Sequence, residues 1–167
     1  MQAGTPPLLP LTASEESRVL DGIDRFVELA RDVARLAPAD GEDTPEIADR
    51  LIRWWLGLSP TSRKPPRPEQ GDIAWAVGCA VGDFLYHVLE VRWKKVVQGT
   101  QTHLCLHGYR PAKGPASPAA SILITPIDDV MERWPKGPED SHGPISEYVE
   151  DLYENDLVRS FIAEGDD

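Results

Sequence analysis

The sequence predicts an α+β fold. A central apolar helix packs on a three-stranded antiparallel meander, with an N-terminal helical hairpin before it and a C-terminal acidic helix after it. Three observations carry this expectation. Ile73–Leu89 is apolar apart from Asp83 and His87, and Ala74, Gly78 and Gly82 recur four residues apart within it. Three short β-rich runs follow, Val91–Val97, His103–His107 and Ser121–Thr125. Both ends of the chain carry apolar residues at spacings of three and four, the period of an amphipathic helix.

Met1–Leu11 reads as a flexible lead, broken by Pro6, Pro7 and Pro10. Thr12 and Glu15 form a capping box, and Val19, Leu20, Ile23, Phe26, Val27, Ala30, Val33 and Ala34 continue one face to about Leu36. Pro38 and Gly41 end that helix. A second starts at Asp43–Thr44–Pro45, with proline in the first turn, where its missing N–H costs nothing. Its apolar face holds Ile47, Leu51, Ile52 and Trp55, so residues 12–58 form a helical hairpin. Ser59–Gln70 is a Pro-rich basic linker containing Arg63, Lys64 and Arg67.

Residues 71–134 form the α+β module. Asp72 is placed to cap its helix. Glycine costs about 1 kcal/mol in a helix interior relative to alanine, so Gly78 and Gly82 point to close approach of another element. Val91–Val97 alternates, with Val91, Trp93 and Lys95 on one face and Arg92, Lys94 and Val96 on the other. Gly99–Thr100 supplies a turn, and Gly108–Ala120 a long Pro/Gly/Ala/Ser-rich connection. Thr125–Pro126 opens a short helix ending near Trp134. Residues 135–167 add a linker and one amphipathic helix from Pro144, with the stripe Ile145, Tyr148, Val149, Leu152, Tyr153, Leu157, Val158, Phe161 and Ile162. At 167 residues, all of this fits one compact domain.

The net charge of −11 is unevenly placed. Gly137–Asp167 holds ten acids against one base, a net of −9, while the rest holds 18 acids against 16 bases, a net of −2. A nucleic-acid binder needs a basic patch, and an anionic membrane repels such a surface; neither is expected as a partner. Two cysteines, Cys79 and Cys105, make no disulfide framework. Together with a start that lacks a secretory signal, they imply a reducing, cytoplasmic setting. No phosphate-binding loop, dinucleotide fingerprint, Cys-x-x-Cys, His-Glu-x-x-His or Gly-x-Ser-x-Gly elbow occurs, and no cofactor is implied.

Two groups of residues are candidates for function. Alternation puts His103, Cys105 and His107 on one strand face, where neighbours stand about 7 Å apart and the outer two about 13 Å. An adjacent pair with a further ligand such as Asp128 or Asp129 fits a metal ion. Alternatively, Cys105 beside a histidine could act as a nucleophile; a half-exposed strand face with no chemistry is the simpler account. Asp128 and Asp129 do not face each other and suit the first turn of a helix, and Asp83 with His87 reads as a helix-edge polar pair. The second candidate is the acidic helix, where Glu147, Glu150, Asp151, Glu154 and Asp156 present an anionic surface to a basic protein partner. Tyr148 and Tyr153 are its candidate anchors.

The stretch Trp75–Trp134 resembles a widespread bacterial family of domains of unknown function. The likeness lies in the Gly78/Gly82 helix, a strand with Trp93, and the run Pro126–Ile127–Asp128–Asp129–Val130–Met131–Glu132–Arg133 after the third strand. The Tyr109–Ala120 insertion departs from the pattern. The resemblance implies an α+β fold and a bacterial source. Small α+β proteins of this type serve as immunity or accessory partners of secreted toxins, an analogy of type. The net charge of −9 in the last 31 residues and the missing catalytic motifs make a non-enzymatic binding module the leading expectation. A metal-dependent or hydrolytic enzyme is the alternative.

Overall fold

A twenty-residue helix, α3 (Gln70–Leu89), organises the fold. In the computed structural model the described residues are 6–37, 41–116, 118–140 and 142–163. Before α3 come a two-residue strand β1 (Leu8–Leu9), helix α1 (Ala13–Glu28) with a π-helical turn at Leu29–Val33, and helix α2 (Thr44–Gly57). After it come β2 (Arg92–Gln98), β3 (Gln101–Arg110), β4 (Ala120–Ile124), α4 (Pro126–Glu132), α5 (Pro144–Glu154) and α6 (Asp156–Ala163). The architecture is α+β, as the sequence predicts.

The Thr12 capping box forms as read, and the start of α2 has a second one. The Thr12 side chain accepts from Glu15 N and the Asp43 side chain from Glu46 N, each glutamate reaching back to the cap's own N–H. Asp72 is not the cap of α3, which falls at Glu69. Asp72 instead lies in the first turn and pairs with Arg25 of α1. Pro38 falls outside the described residues.

The sheet is antiparallel with order β1-β2-β3-β4. It has one strand more than expected, because Leu8 and Leu9 of the lead pair with Val96 and Lys95. Two residues give too weak a periodic signal to read from sequence. Register places Trp93, Leu106, Ile122 and Ile124 on one face, Trp93 partly buried and the other three buried. The other face carries Val96, His103, Cys105, His107 and Leu123.

Ile73, Ala76, Val77, Cys79, Val81 and Leu85 of α3 are buried completely. By length and mean hydropathy (1.2) α3 resembles a membrane span, but 61% of its most apolar window is buried inside the fold, which is what a core helix requires. The glycine stripe works as expected, with one refinement. A methyl on Gly78 would stand 2.7 Å from the Ile127 Cα, so the close backbone neighbour is α4 rather than the sheet. At Gly82 it would run into the Trp93 ring, so here the sheet does approach.

The C-terminal helix departs from its expected course. It breaks at Asn155 (φ −65°, ψ 128°), whose side chain accepts from Leu157 N, giving α5 and α6 instead of one helix. The break lets α6 turn onto the sheet. Phe161 packs over Gly108, and Arg110 lies over the Phe161 ring at 4.5 Å while donating to its carbonyl at 2.9 Å. Asp49 of α2 is the buried charged residue of the described core. It accepts from Ile145 N (2.8 Å), Ser146 N (3.0 Å) and Ser146 Oγ (2.6 Å), tying the start of α5 to α2.

Candidate functional site

The second face of the sheet gathers the strand residues singled out in the sequence. β3 positions His103, Cys105 and His107 in alternation, and all three line one cavity of about 470 Å³ with Leu8, Leu123 and Asp128. Each has a specific environment. His103 Nδ1 lies 2.8 Å from Asp128 Oδ2, joining β3 to α4 where β4 no longer flanks it. His107 Nε2 lies 3.0 Å from Ser121 Oγ across the β3–β4 pair. Cys105 is fully buried, and burial, aided by the Asp128 charge, pushes its thiol up to about 11. A thiol held protonated is a poor nucleophile. Among the described residues no three His, Cys, Asp or Glu side chains converge to hold a metal ion.

Asp128 and Asp129 diverge, as helix geometry requires. Asp128 turns to His103, while Asp129 accepts from Thr125 Oγ1 (3.0 Å) and Tyr148 Oη (2.7 Å). The two acids therefore bridge α4 to the sheet and to α5. Asp83 and His87 stand 3.6 Å apart on an exposed helix edge.

The acidic helix presents a different surface. Glu147, Glu150, Asp151, Glu154 and Asp156 are all exposed. Asp151 pairs with Arg133 at 3.0 Å. Among the described residues Glu147, Glu150, Glu154 and Asp156 pair with no cation. Break and pairing together leave these carboxylates on the outward side of α5 and at the start of α6.

Of the two tyrosine anchors, Tyr148 does not hold. It is 3% exposed, its hydroxyl donates to Asp129, Arg133 stacks on its ring at 5.3 Å, and burial holds its hydroxyl far above the usual range. It belongs to the core stripe of α5, and the same 3.6-residue period serves core and surface alike. Tyr153 is half-buried, its hydroxyl shifted upward by burial and by the Asp43 charge.

Sequence reasoning passes over a third cluster. Arg18 of α1 stacks on Trp75 of α3 at 4.5 Å, beside the Lys95–Glu15 ion pair of 2.8 Å. Lys95 is also the main cause that holds the Glu15 carboxyl below its ordinary value. Glu15 and Arg18 lie one turn apart on α1, but Trp75 and Lys95 are distant in the chain, so only the packing of α1 on α3 and β2 unites the four.

Fold and site together define an α+β domain with an anionic helical surface and a histidine-bearing sheet face. The chain matches no family model and no curated protein. It is similar to a solved structure from Bacteroides thetaiotaomicron VPI-5482, with a TM-score of 0.54 and 17% identity. The match covers 90% of this chain but 51% of that one, so this chain spans about half its length. At that identity the likeness concerns the fold alone.

Proposed function

We propose that the chain is a non-enzymatic protein-binding module that meets a basic partner through the acidic surface of α5 and α6. One observation carries the reading: Glu147, Glu150, Glu154 and Asp156 are exposed without a cation partner among the described residues. A clustered, uncompensated group of acids supplies the long-range field that steers a basic protein. The reading includes an immunity or accessory role, a cytoplasmic location and membership of the bacterial family that Trp75–Trp134 resembles. It makes no use of nucleic acid, membrane or cofactor.

The test is affinity capture with the full chain at low and high salt, followed by identification of the bound protein and titration with it purified. Binding should weaken steeply with salt and with the triple change Glu147→Lys, Glu150→Lys and Glu154→Lys. Binding indifferent to both changes would overturn the acidic-surface reading. The enzymatic alternative rests on the shared cavity of His103, Cys105 and His107. Elemental analysis of purified protein, with the three residues replaced by alanine, tests it. A stoichiometric transition metal lost on replacement would favour it over the binding module.

A further inference from the structure

We propose that the cleft between α1, β3 and α4 is a binding site for a small zwitterion, a free apolar α-amino acid. The cleft has a volume of about 270 Å³ and is lined by Glu15, Arg18, Trp75, Leu104, Ile127 and Asp128, with Thr102 at its edge. It lies apart from the acidic surface on α5 and α6, and nothing in the protein-binding reading uses it.

The charge inventory selects the ligand. Glu15 is spent, both its carboxylate oxygens lying within 3.0 Å of Lys95 Nζ. Asp128 gives Oδ2 to His103, which leaves Oδ1 without a hydrogen bond among the described residues. Arg18 stacks on Trp75 and has no carboxylate partner among the described residues. One unpaired guanidinium and one available carboxylate oxygen thus border the same small cavity. A guanidinium offers a fork of N–H donors that fits a carboxylate, and Asp128 Oδ1 accepts from an ammonium group. Leu104, Ile127 and the Trp75 ring supply an apolar wall for the side chain between them.

Size points the same way. Sites for drug-sized ligands run from about 300 to 1,000 Å³, so this cleft suits something smaller, on the scale of one amino acid. A plain carboxylic acid would leave Asp128 unanswered and add a like charge beside it. A plain amine would face the Arg18 guanidinium in the same way. Only a molecule carrying both charges engages both groups at once.

The test uses the full chain and four kinds of probe: L-alanine, L-leucine and L-phenylalanine; 4-methylpentanoate, which lacks the ammonium; 3-methylbutylamine, which lacks the carboxylate; and buffer alone. Calorimetry gives affinity, and nitrogen–proton correlation spectra locate binding through the Trp75 indole and the Leu104 and Ile127 amides. At least one amino acid should bind saturably with shifts confined to this cleft. Each one-charge analogue should bind at least about tenfold more weakly, as should the amino acid to Arg18→Gln. Arg18 is exposed, so that variant keeps the fold even if Asp128→Asn does not. No saturable shift with any of the three amino acids, equal binding of an analogue, or undiminished binding to Arg18→Gln would each overturn the proposal.

Discussion

Removal of the Asp49 carboxylate should detach the start of α5 from the body of the protein. Asp49 is 4% exposed and accepts three hydrogen bonds, from Ile145 N, Ser146 N and Ser146 Oγ at 2.6–3.0 Å. Two of those donors are backbone amides in the first turn of α5, where the helix itself offers no acceptor. The helix macrodipole adds to the attraction for a negative charge there. Hydrogen bonds to charged groups contribute about 1.5–3 kcal/mol each, and an N-cap side chain about 1 kcal/mol. The three bonds share one carboxylate and are not additive, so Asp49→Ala should cost about 3–4 kcal/mol. For a chain of this size that lowers the melting temperature by roughly 10 °C. Urea unfolding followed by tryptophan fluorescence measures the loss. Hydrogen exchange should show faster exchange at Ile145 and Ser146 than at the core of α3. Ser146→Ala, which removes one of the three donors, should cost about 1 kcal/mol, and the double variant should cost less than the sum. A loss under about 1 kcal/mol for Asp49→Ala, with α5 amides still protected, would refute this account.

Gly78→Ala gains helix propensity of about 1 kcal/mol but sets a methyl 2.7 Å from the Ile127 Cα, a backbone atom that cannot rotate away. Overpacking of this kind costs about 1–3 kcal/mol, so the net change in urea unfolding should be a loss; a gain would refute the α3–α4 contact. Burial raises the Cys79 thiol to about 12 and the Cys105 thiol to about 11, from an ordinary value of 9.0. The folded state therefore keeps protons that the unfolded chain releases, so this contribution to stability is intact below pH 9 and declines as pH rises through 9 toward 11 and 12. Chemical denaturation across that range, compared with the double change Cys79→Ala and Cys105→Ala, should show a flatter decline in the variant. Tyr148→Phe removes the 2.7 Å bond to Asp129 and should cost about 1 kcal/mol or more by thermal unfolding, whereas an exposed anchor would lose nothing.

The parts of the fold that sequence reading recovers are those where one physical signal acts alone. Thr12 caps as read because a capping box is local, complete within four residues. The strand alternation places His103, Cys105 and His107 on one face because the period of a strand is two, whatever surrounds it. What escapes is what depends on tertiary partners. Tyr148 sits on the same helical stripe as Ile145 and Val149, and periodicity alone cannot say whether its hydroxyl meets solvent or Asp129. Asp49 reads as an ordinary polar helix residue until α5, 96 residues later, delivers two amides to it. The helix break at Asn155 is a local asparagine turn, yet the apolar stripe runs through it, so the period conceals it. The Arg18–Trp75 stack joins two helices through residues 57 positions apart that no local spacing relates.

The placement of the short helix α4 explains how one scaffold holds separate surfaces. Its backbone packs against Gly78 of α3, so its position is set by the core and not by any ligand. From that fixed point Asp128 reaches the His103 side of the sheet and borders the Arg18 cleft, while Asp129 reaches Tyr148 and thereby α5. The acidic surface is anchored twice to the same core, through Asp129 on one side and Asp49 on the other. Changes to the exposed glutamates of α5 should therefore leave the cleft undisturbed, and Arg18→Gln should leave the acidic surface undisturbed. A partner whose affinity responds to both would require coupling through α4, and Tyr148→Phe, which removes the hydroxyl bond from α5 to Asp129 and leaves the Thr125–Asp129 bond in place, would then be the change that uncouples them. If the two surfaces respond independently in every combination, α4 is a rigid post between two sites and nothing more.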